Sequence, residues 1–328
     1  MSKKLKFIWI DDEKGREAAA KSLEKRIKVS IDFILVKNMV LIDALQTMLH
    51  DKREPDLLII DHKLSHVRSS GSFNTGSTAA EYLRDSWTKC PIVSVTAVDI
   101  QNDVDSRRRN LYEQMFEDSN ISDHDNTFLA IAKSFNKLNT KAPTKIEELL
   151  TLMKAPIEDH ERLKTIMPHE LKMDFYQSQN IISTDISRWI LNVLFERPGF
   201  LYDRINAATL LGVKEESFKK IEELFKGAKY TGIFQDESKE RWWKSKLLTI
   251  LSKHIEGPEL PWEKGRKLKG LNKKDYSECH ASKKGIPETV AYVDETLNSK
   301  RYPMRLQDTI VHPGYENMLF FDEIRMMK

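Results

Sequence analysis

Pro55-Asp56-Leu57-Leu58-Ile59-Ile60-Asp61-His62-Lys63-Leu64-Ser65 decides how this chain is read. Its four consecutive apolar residues, two of them β-branched, predict a short buried strand. A carboxylate stands at the C-terminal end, where open α/β sheets place their ligands. Leu5-Lys6-Phe7-Ile8-Trp9-Ile10 runs in the same way into Asp11-Asp12-Glu13, and Pro91-Ile92-Val93-Ser94-Val95 runs into Thr96-Ala97. As parallel neighbours, these strands would bring an acidic pair, a lone Asp and a hydroxyl to one edge. That set suits a divalent cation and a phosphoryl group.

Working outward, residues 14–27 read as a helix and 29–36 as a second strand. Residues 39–50 carry Met39, Leu41, Ile42, Leu45 and Leu49 at helical spacing. A polar loop spans 65–76, and a helix over 77–87 is expected to be capped at Ser77 or Thr78. Residues 91–96 make a fourth strand, 111–116 a fifth and 126–135 a closing helix. Strands alternating with helices predict an α/β fold, a doubly wound five-stranded parallel sheet. Residues 138–143 read as a linker, which divides the chain into 1–140 and 141–328. The second part reads as mainly α-helical. It has apolar helical spacing over 146–153 and 181–195, and two helices across 201–226 separated by Gly212. A strand-like stretch over 230–234, a basic helix over 239–254, a loop-rich 255–288 and a helix near 290–297 follow.

The composition narrows the function classes. The chain has 328 residues, 40% hydrophobic and 31% charged, as in a globular two-domain protein. Its 53 basic and 50 acidic residues leave a net charge of +3, so no strong whole-chain field favours nucleic acid. Two cysteines, Cys90 and Cys279, form no disulfide framework and suit a reducing compartment. No apolar run approaches the roughly 18 residues of a membrane span. The N-terminus enters a strand without a signal-peptide core. A cytoplasmic protein without a membrane partner is expected.

The acidic pair after strand one, Pro55-Asp56 opening strand three, Asp61-His62-Lys63-Leu64 closing it and Thr96-Ala97 after strand four together resemble the receiver domain of two-component response regulators. The resemblance covers about residues 4–135 and implies a flavodoxin-like sheet. It implies that Asp61 is the phosphoacceptor, attacking the phosphoryl group of a phosphohistidine donor on a histidine kinase. Asp11 and Asp12 would hold Mg²⁺, with Asp61 and the backbone carbonyl of Lys63 completing the protein ligands. Thr96 would contact the phosphoryl oxygens and report phosphorylation. Mg²⁺ prefers hard oxygen ligands, and phosphoryl transfer needs positioning and charge neutralisation rather than elaborate covalent chemistry. The chain departs from the family at the end of strand five. The family has a Lys there, whereas residues 112–119 read Tyr112-Glu113-Gln114-Met115-Phe116-Glu117-Asp118-Ser119. The loop over 65–76 is long for the family, and its Arg68 and serines offer a substitute contact or a gate.

The second half offers weaker signals. Residues 204–218 resemble a helix-turn-helix, with Ala208 between the helices, Gly212 in the turn and Val213 and Phe218 in the core. Lys214, Lys219, Lys220 and Lys244 would then face duplex DNA, with residues 230–234 as a wing. Glu215, Glu216, Glu222 and Glu223 oppose a phosphate-facing surface. The basic run over 264–274 reads as a solvated loop. Cys279, His280, Asp308 and His312 admit a thiol nucleophile, although a lone Cys is more often a small buried hydrophobe. The resulting reading is a response-regulator-like signalling protein switching an output by partner or self-association, including a homodimer. A DNA-binding regulator is the alternative, and an effector enzyme a lesser one.

Overall fold

A computed structural model of the chain describes residues 4–68, 75–98, 100, 104, 109, 111–177, 183–196, 199–277, 289–290 and 304–305. They form two compact units. The first holds Met1–Leu152, Ile166–Asn192 and Ile233–Ser238, and the second Met153–Thr165, Val193–Gly232 and Lys239–Lys328, so the chain passes between units more than once.

The first unit is built on a five-stranded parallel sheet. Its strands are β1 (Lys6–Asp11), β2 (Ser30–Leu35), β3 (Leu57–Ile60), β4 (Ile92–Thr96) and β5 (Gln114–Glu117). Their order is β2-β1-β3-β4-β5, and every neighbouring pair is parallel. This is the doubly wound α/β sheet the sequence predicts. Helices α1 (Arg16–Ile27), α2 (Leu41–Asp51), α3 (Gly76–Ser86) and α4 (Asp125–Thr140) flank it. Period-2 alternation sorts the side chains of β1 and β3 between faces. Ile8, Ile10, Leu58 and Ile60 join Leu41, Leu45 and Leu83 of α2 and α3 in one core. Phe7, Trp9, Leu57 and Ile59 are equally buried on the other face, the side of α1 and α4, which pack together. All four residues of β3 are buried, as a central parallel strand requires.

Asp56 fixes the entry to β3. It accepts from the Lys6 backbone N–H at 2.8 Å and from Asn136 Nδ2 at 2.9 Å, tying β1, β3 and α4 at one end of the sheet. The cap of α3 is Thr75, not Ser77 or Thr78: the Thr75 hydroxyl accepts from the Thr78 N–H at 3.3 Å, and Thr78 Oγ1 accepts from the Thr75 N–H at 3.3 Å. Ser77 is spent inside the helix, where it is buried. The fifth strand starts three residues later than expected, because the Tyr112 N–H bonds back to the Arg109 carbonyl at 3.1 Å and closes a turn ahead of it; Tyr112 and Glu113 are both 0% exposed. Glu113 is ion-paired with Arg84 at 3.0 Å.

Past α4, helices α5 (Ile146–Leu152), α6 (His160–Ile166), α7 (His169–Tyr176) and α8 (Ser183–Trp189) follow, with α6 largely in the second unit. The first unit is completed by a late segment. Phe234 is buried edge-to-face on Phe135 of α4, with centroids 6.0 Å apart, and its N–H donates to Ser134 Oγ at 2.6 Å. Asp236 accepts from the Thr127 hydroxyl and from Ser238 N–H and Oγ at 2.8 and 2.6 Å.

The second unit is mainly helical, as expected. Short strands β6 (Leu201–Tyr202) and β7 (Trp242–Trp243) pair antiparallel beside α9 (Arg204–Leu210), α10 (Glu215–Phe218), α11 (Lys244–His254) and α12 (Pro261–Arg266). Ala207, Ala208, Leu211, Val213, Phe218, Phe225, Trp242, Leu247 and Leu251 form its core. Gly212 makes the turn at φ 67°, and a Cβ there would meet the Trp262 backbone carbonyl oxygen at 2.7 Å. Residues 230–234 do not form the expected strand: Phe234 takes a positive φ of 62°, which breaks an extended run. The basic run is partly structured, with Lys264 buried in α12 and Leu268 in the core. The helix expected near 290–297 lies outside the described residues apart from Val290, which pairs in a short strand. Among the described residues no helix is long and apolar enough to cross a membrane.

Candidate functional site

The C-terminal ends of β1 and β3 carry the carboxylates. The Asp61 N–H donates to the Ile10 carbonyl at 3.1 Å, and the Val36 N–H to the Asp11 carbonyl at 2.9 Å, so the ladder continues through the site. One ligand oxygen from each of Asp11, Asp12 and Asp61 lies within 4.8 Å of the others. Asp11 and Asp12 are 2% and 1% exposed, whereas Asp61 is half-buried. Asp61 is therefore the member of the cluster that an incoming group meets.

Each carboxylate is held by donors. Asp11 accepts from the Glu13 N–H at 2.8 Å and from Trp9 Nε1 at 3.3 Å. Asp12 accepts from the His66 backbone N–H and lies 3.1 Å from His66 Nδ1. Asp61 accepts from the Lys63 N–H at 3.3 Å. These contacts leave lone pairs on each carboxylate. Burial, then the neighbouring Asp11 charge, pushes the Asp61 carboxyl from 3.8 up to about 7. Burial raises Asp11 to about 6, against the Glu13 hydrogen bond and the Arg16 charge. Crowded, partly desolvated carboxylates favour protons or a cation. Hard oxygen donors on a half-open edge fit a small divalent ion that keeps waters.

Thr96 ends β4 at the same edge of the sheet, buried, with its Oγ1 accepting from the Val98 N–H at 3.4 Å. Lys63 directs its N–H to Asp61, while its carbonyl accepts from the Ser65 N–H at 3.0 Å. Arg68 is exposed, and its backbone N–H donates to the Met39 carbonyl at 2.8 Å, which ties the loop start to the residues before α2.

Three residues at the site escaped the sequence reading. His66 latches onto Asp12 as above. Gly76 opens α3 against the backbone of Asp61 and His62: its N–H donates to the His62 carbonyl at 3.0 Å, and a Cβ there would overlap the Asp61 carbonyl oxygen. The third is Arg16, at the start of α1, ion-paired with Asp118 just past β5. Burial opposes the Arg16 charge, but the Asp118 hydrogen bond and charge outweigh it and raise its pKa. A glycine before a helix was a visible signal. The pairings of His66 and Arg16 had none, because they depend on tertiary approach.

In the second unit, Ala208, Val213 and Phe218 are buried and Gly212 turns the chain. The helix after the turn, α10, is a single α-helical turn, whereas a recognition helix must present several side chains along a groove. Lys220 Nζ is held by Asp275 at 2.5 Å, and Lys244 Nζ sits 5.4 Å from the Tyr202 ring centroid. Lys219 is exposed, and Lys214 is partly buried, with its N–H on the Asp275 carbonyl at 2.9 Å. Cys279, His280, Asp308 and His312 lie outside the described residues.

No protein-family profile matches the chain, and no curated protein matches it. Solved structures do match its N-terminal part. It is similar to a response regulator receiver domain from Methylobacillus flagellatus, with 20% identity, 35% of this chain and 86% of that one covered, and a TM-score of 0.28. It is similar to a response regulator receiver domain protein from Clostridium thermocellum, with 13% identity, 42% and 98% covered, and a TM-score of 0.30. It is also similar to a response regulator from Thermotoga maritima in complex with Mg²⁺-BeF, with 18% identity, 34% and 85% covered, and a TM-score of 0.27. The C-terminal region is unassigned.

Proposed function

We propose that the first unit is a phosphoacceptor switch of the response-regulator kind. One observation carries this reading: three carboxylates converge at the C-terminal edge of a parallel sheet, and the half-buried one, Asp61, is open to an incoming group. Residues 1–140 hold every residue invoked and are the proposed extent of the module.

The reaction is phosphoryl transfer from a phosphohistidine on a histidine kinase. An Asp61 carboxylate oxygen attacks phosphorus in line with the leaving imidazole nitrogen. The P–N bond breaks, the nitrogen keeps its electron pair and takes a proton from solvent, and an acyl phosphate forms on Asp61. Asp11, Asp12, Asp61 and the Lys63 carbonyl would hold Mg²⁺, which supplies neutralisation of the charge gathering on the phosphoryl oxygens. The ladder bond from the Asp61 N–H to the Ile10 carbonyl fixes the nucleophile's backbone, so positioning is met by the sheet itself. Thr96 at the end of β4 would donate its hydroxyl to a phosphoryl oxygen. The response then biases a second conformation of the module, which changes its association with a partner or a second copy. The one-turn α10 and the occupied Lys220 and Lys244 favour a protein-interaction output over duplex DNA.

The test is incubation of the full chain with Mg²⁺ and acetyl phosphate, followed by intact-mass analysis beside Asp61→Asn. A Mg²⁺-dependent phosphoryl adduct absent from the variant is expected. Equal adducts in both proteins would place the chemistry elsewhere and overturn the reading.

A further inference from the structure

Charge balance at the site is incomplete. With Asp61 carrying the group as an acyl phosphate, the Asp11 and Asp12 carboxylates and the phosphoryl group's roughly two negative charges still exceed what one divalent ion neutralises. A second cation must reach the phosphoryl group, and the end of β5, Glu117-Asp118-Ser119, offers carboxylates instead.

Arg16, in the first turn of α1 just after the acidic pair, is the cation whose contacts lie beside that edge. The turn Asp11-Asp12-Glu13 leads directly into α1, and the Arg16 N–H donates to the Glu13 carbonyl at 3.1 Å. Its guanidinium Nε is 4.0 Å from Glu13 Oε2, and its Nη1 is on Asp118 Oδ1. The side chain is 23% exposed, so it is partly withdrawn from solvent. Both Asp11 and Asp61 feel its charge. A planar fork with five donors can serve a carboxylate and a phosphoryl oxygen by small rotations.

We infer that Arg16 binds the phosphoryl group on Asp61, and that in doing so it exchanges its partner Asp118 for the phosphoryl oxygens. The inference rests on the phosphoacceptor reading above and names its switch. Asp118 begins the 3₁₀ segment Asp118–His124, which leads into α4. Loss of the Arg16 partner frees the start of that segment, while Phe116 still holds its other end through His124 and Phe128, at ring distances of 4.6 and 4.9 Å. The event at Asp61 is thereby passed to the surface after β5.

The experiment compares the full-length wild type with Arg16→Ala, Arg16→Lys and Asp118→Asn in Mg²⁺ and acetyl phosphate. It reads adduct formation rate by intact mass and hydrogen exchange over residues 118–124. Thermal melting and Mg²⁺ titration establish that each variant is folded and loaded. Arg16→Ala is expected to form the adduct about a hundredfold more slowly, by analogy with removal of one oxyanion donor, and Arg16→Lys to recover part of the rate. In the wild type, exchange over 118–124 rises on phosphorylation. In Asp118→Asn it is already raised without phosphorylation while the adduct forms at the wild-type rate; a merely structural Arg16 would make Arg16→Ala behave the same way, with raised exchange and no slowing of the adduct. An Arg16→Ala adduct forming at the wild-type rate, with unchanged exchange over 118–124, overturns this inference and leaves the phosphoacceptor reading standing. No Asp61-dependent adduct in any protein overturns both.

Discussion

Asp61→Asn is expected to stabilise the protein in metal-free buffer at pH 8. The carboxyl titrates near 7 instead of 3.8 because it is partly desolvated and faces Asp11. Its folded pKa lies above its unfolded one, so its contribution to stability is complete below about pH 4 and is lost as pH rises through about 7. Fully expressed, that difference corresponds to about 4 kcal/mol. Asp61 keeps some contact with solvent, which screens the repulsion, so about 2 kcal/mol is the working figure. For a unit of this size that raises Tm by roughly 4–8 °C. The assay is thermal melting of wild type and variant from pH 4 to 8, with and without Mg²⁺. The wild type should lose stability across that window relative to Asp61→Asn, and Mg²⁺ at ten times its Kd should restore about 1.4 kcal/mol to it. Identical pH profiles, or a variant that melts lower at pH 8 without metal, would refute the crowding argument.

Gly76→Ala should force α3 away from the Asp61–His62 backbone, costing about 1–3 kcal/mol as an overpacked contact. Calorimetric Mg²⁺ titration should show weakened binding, because Asp61 moves with its carbonyl. Glu113→Ala should cost about 3–5 kcal/mol in chemical denaturation, since it leaves the Arg84 charge in the interior without its partner.

The sheet and the acidic edge were legible because β1, β3 and β4 are apolar blocks that run abruptly into Asp or Thr, a boundary local sequence alone produces. Strand β5 was displaced in the reading because Tyr112 looks like a strand residue but closes a turn onto the Arg109 carbonyl just ahead of it. The run over 230–234 has the aromatic and β-branched composition of a strand. Yet Tyr230, Ile233 and Phe234 are buried in irregular chain, and Phe234 has a positive φ. Composition reports burial there, not conformation. Arg16 and His66 were invisible as site residues for a different reason. Their partners, Asp118 and Asp12, lie 102 and 54 residues away, and no short-range pattern encodes such approaches.

The late segment around Phe234 and Asp236 sets a timetable for synthesis. The sheet strands and α4 have all been synthesised once residue 140 is made, but Phe135 and Thr127 lack their partners until residues 233–238 follow. At about 5–20 residues per second, roughly 5–20 seconds pass between the two events on a translating ribosome. During that interval part of the α4 surface stands uncovered. A transcript truncated between codons 140 and 233 would yield a protein that carries the acidic edge and still lacks the clasp that finishes its first unit.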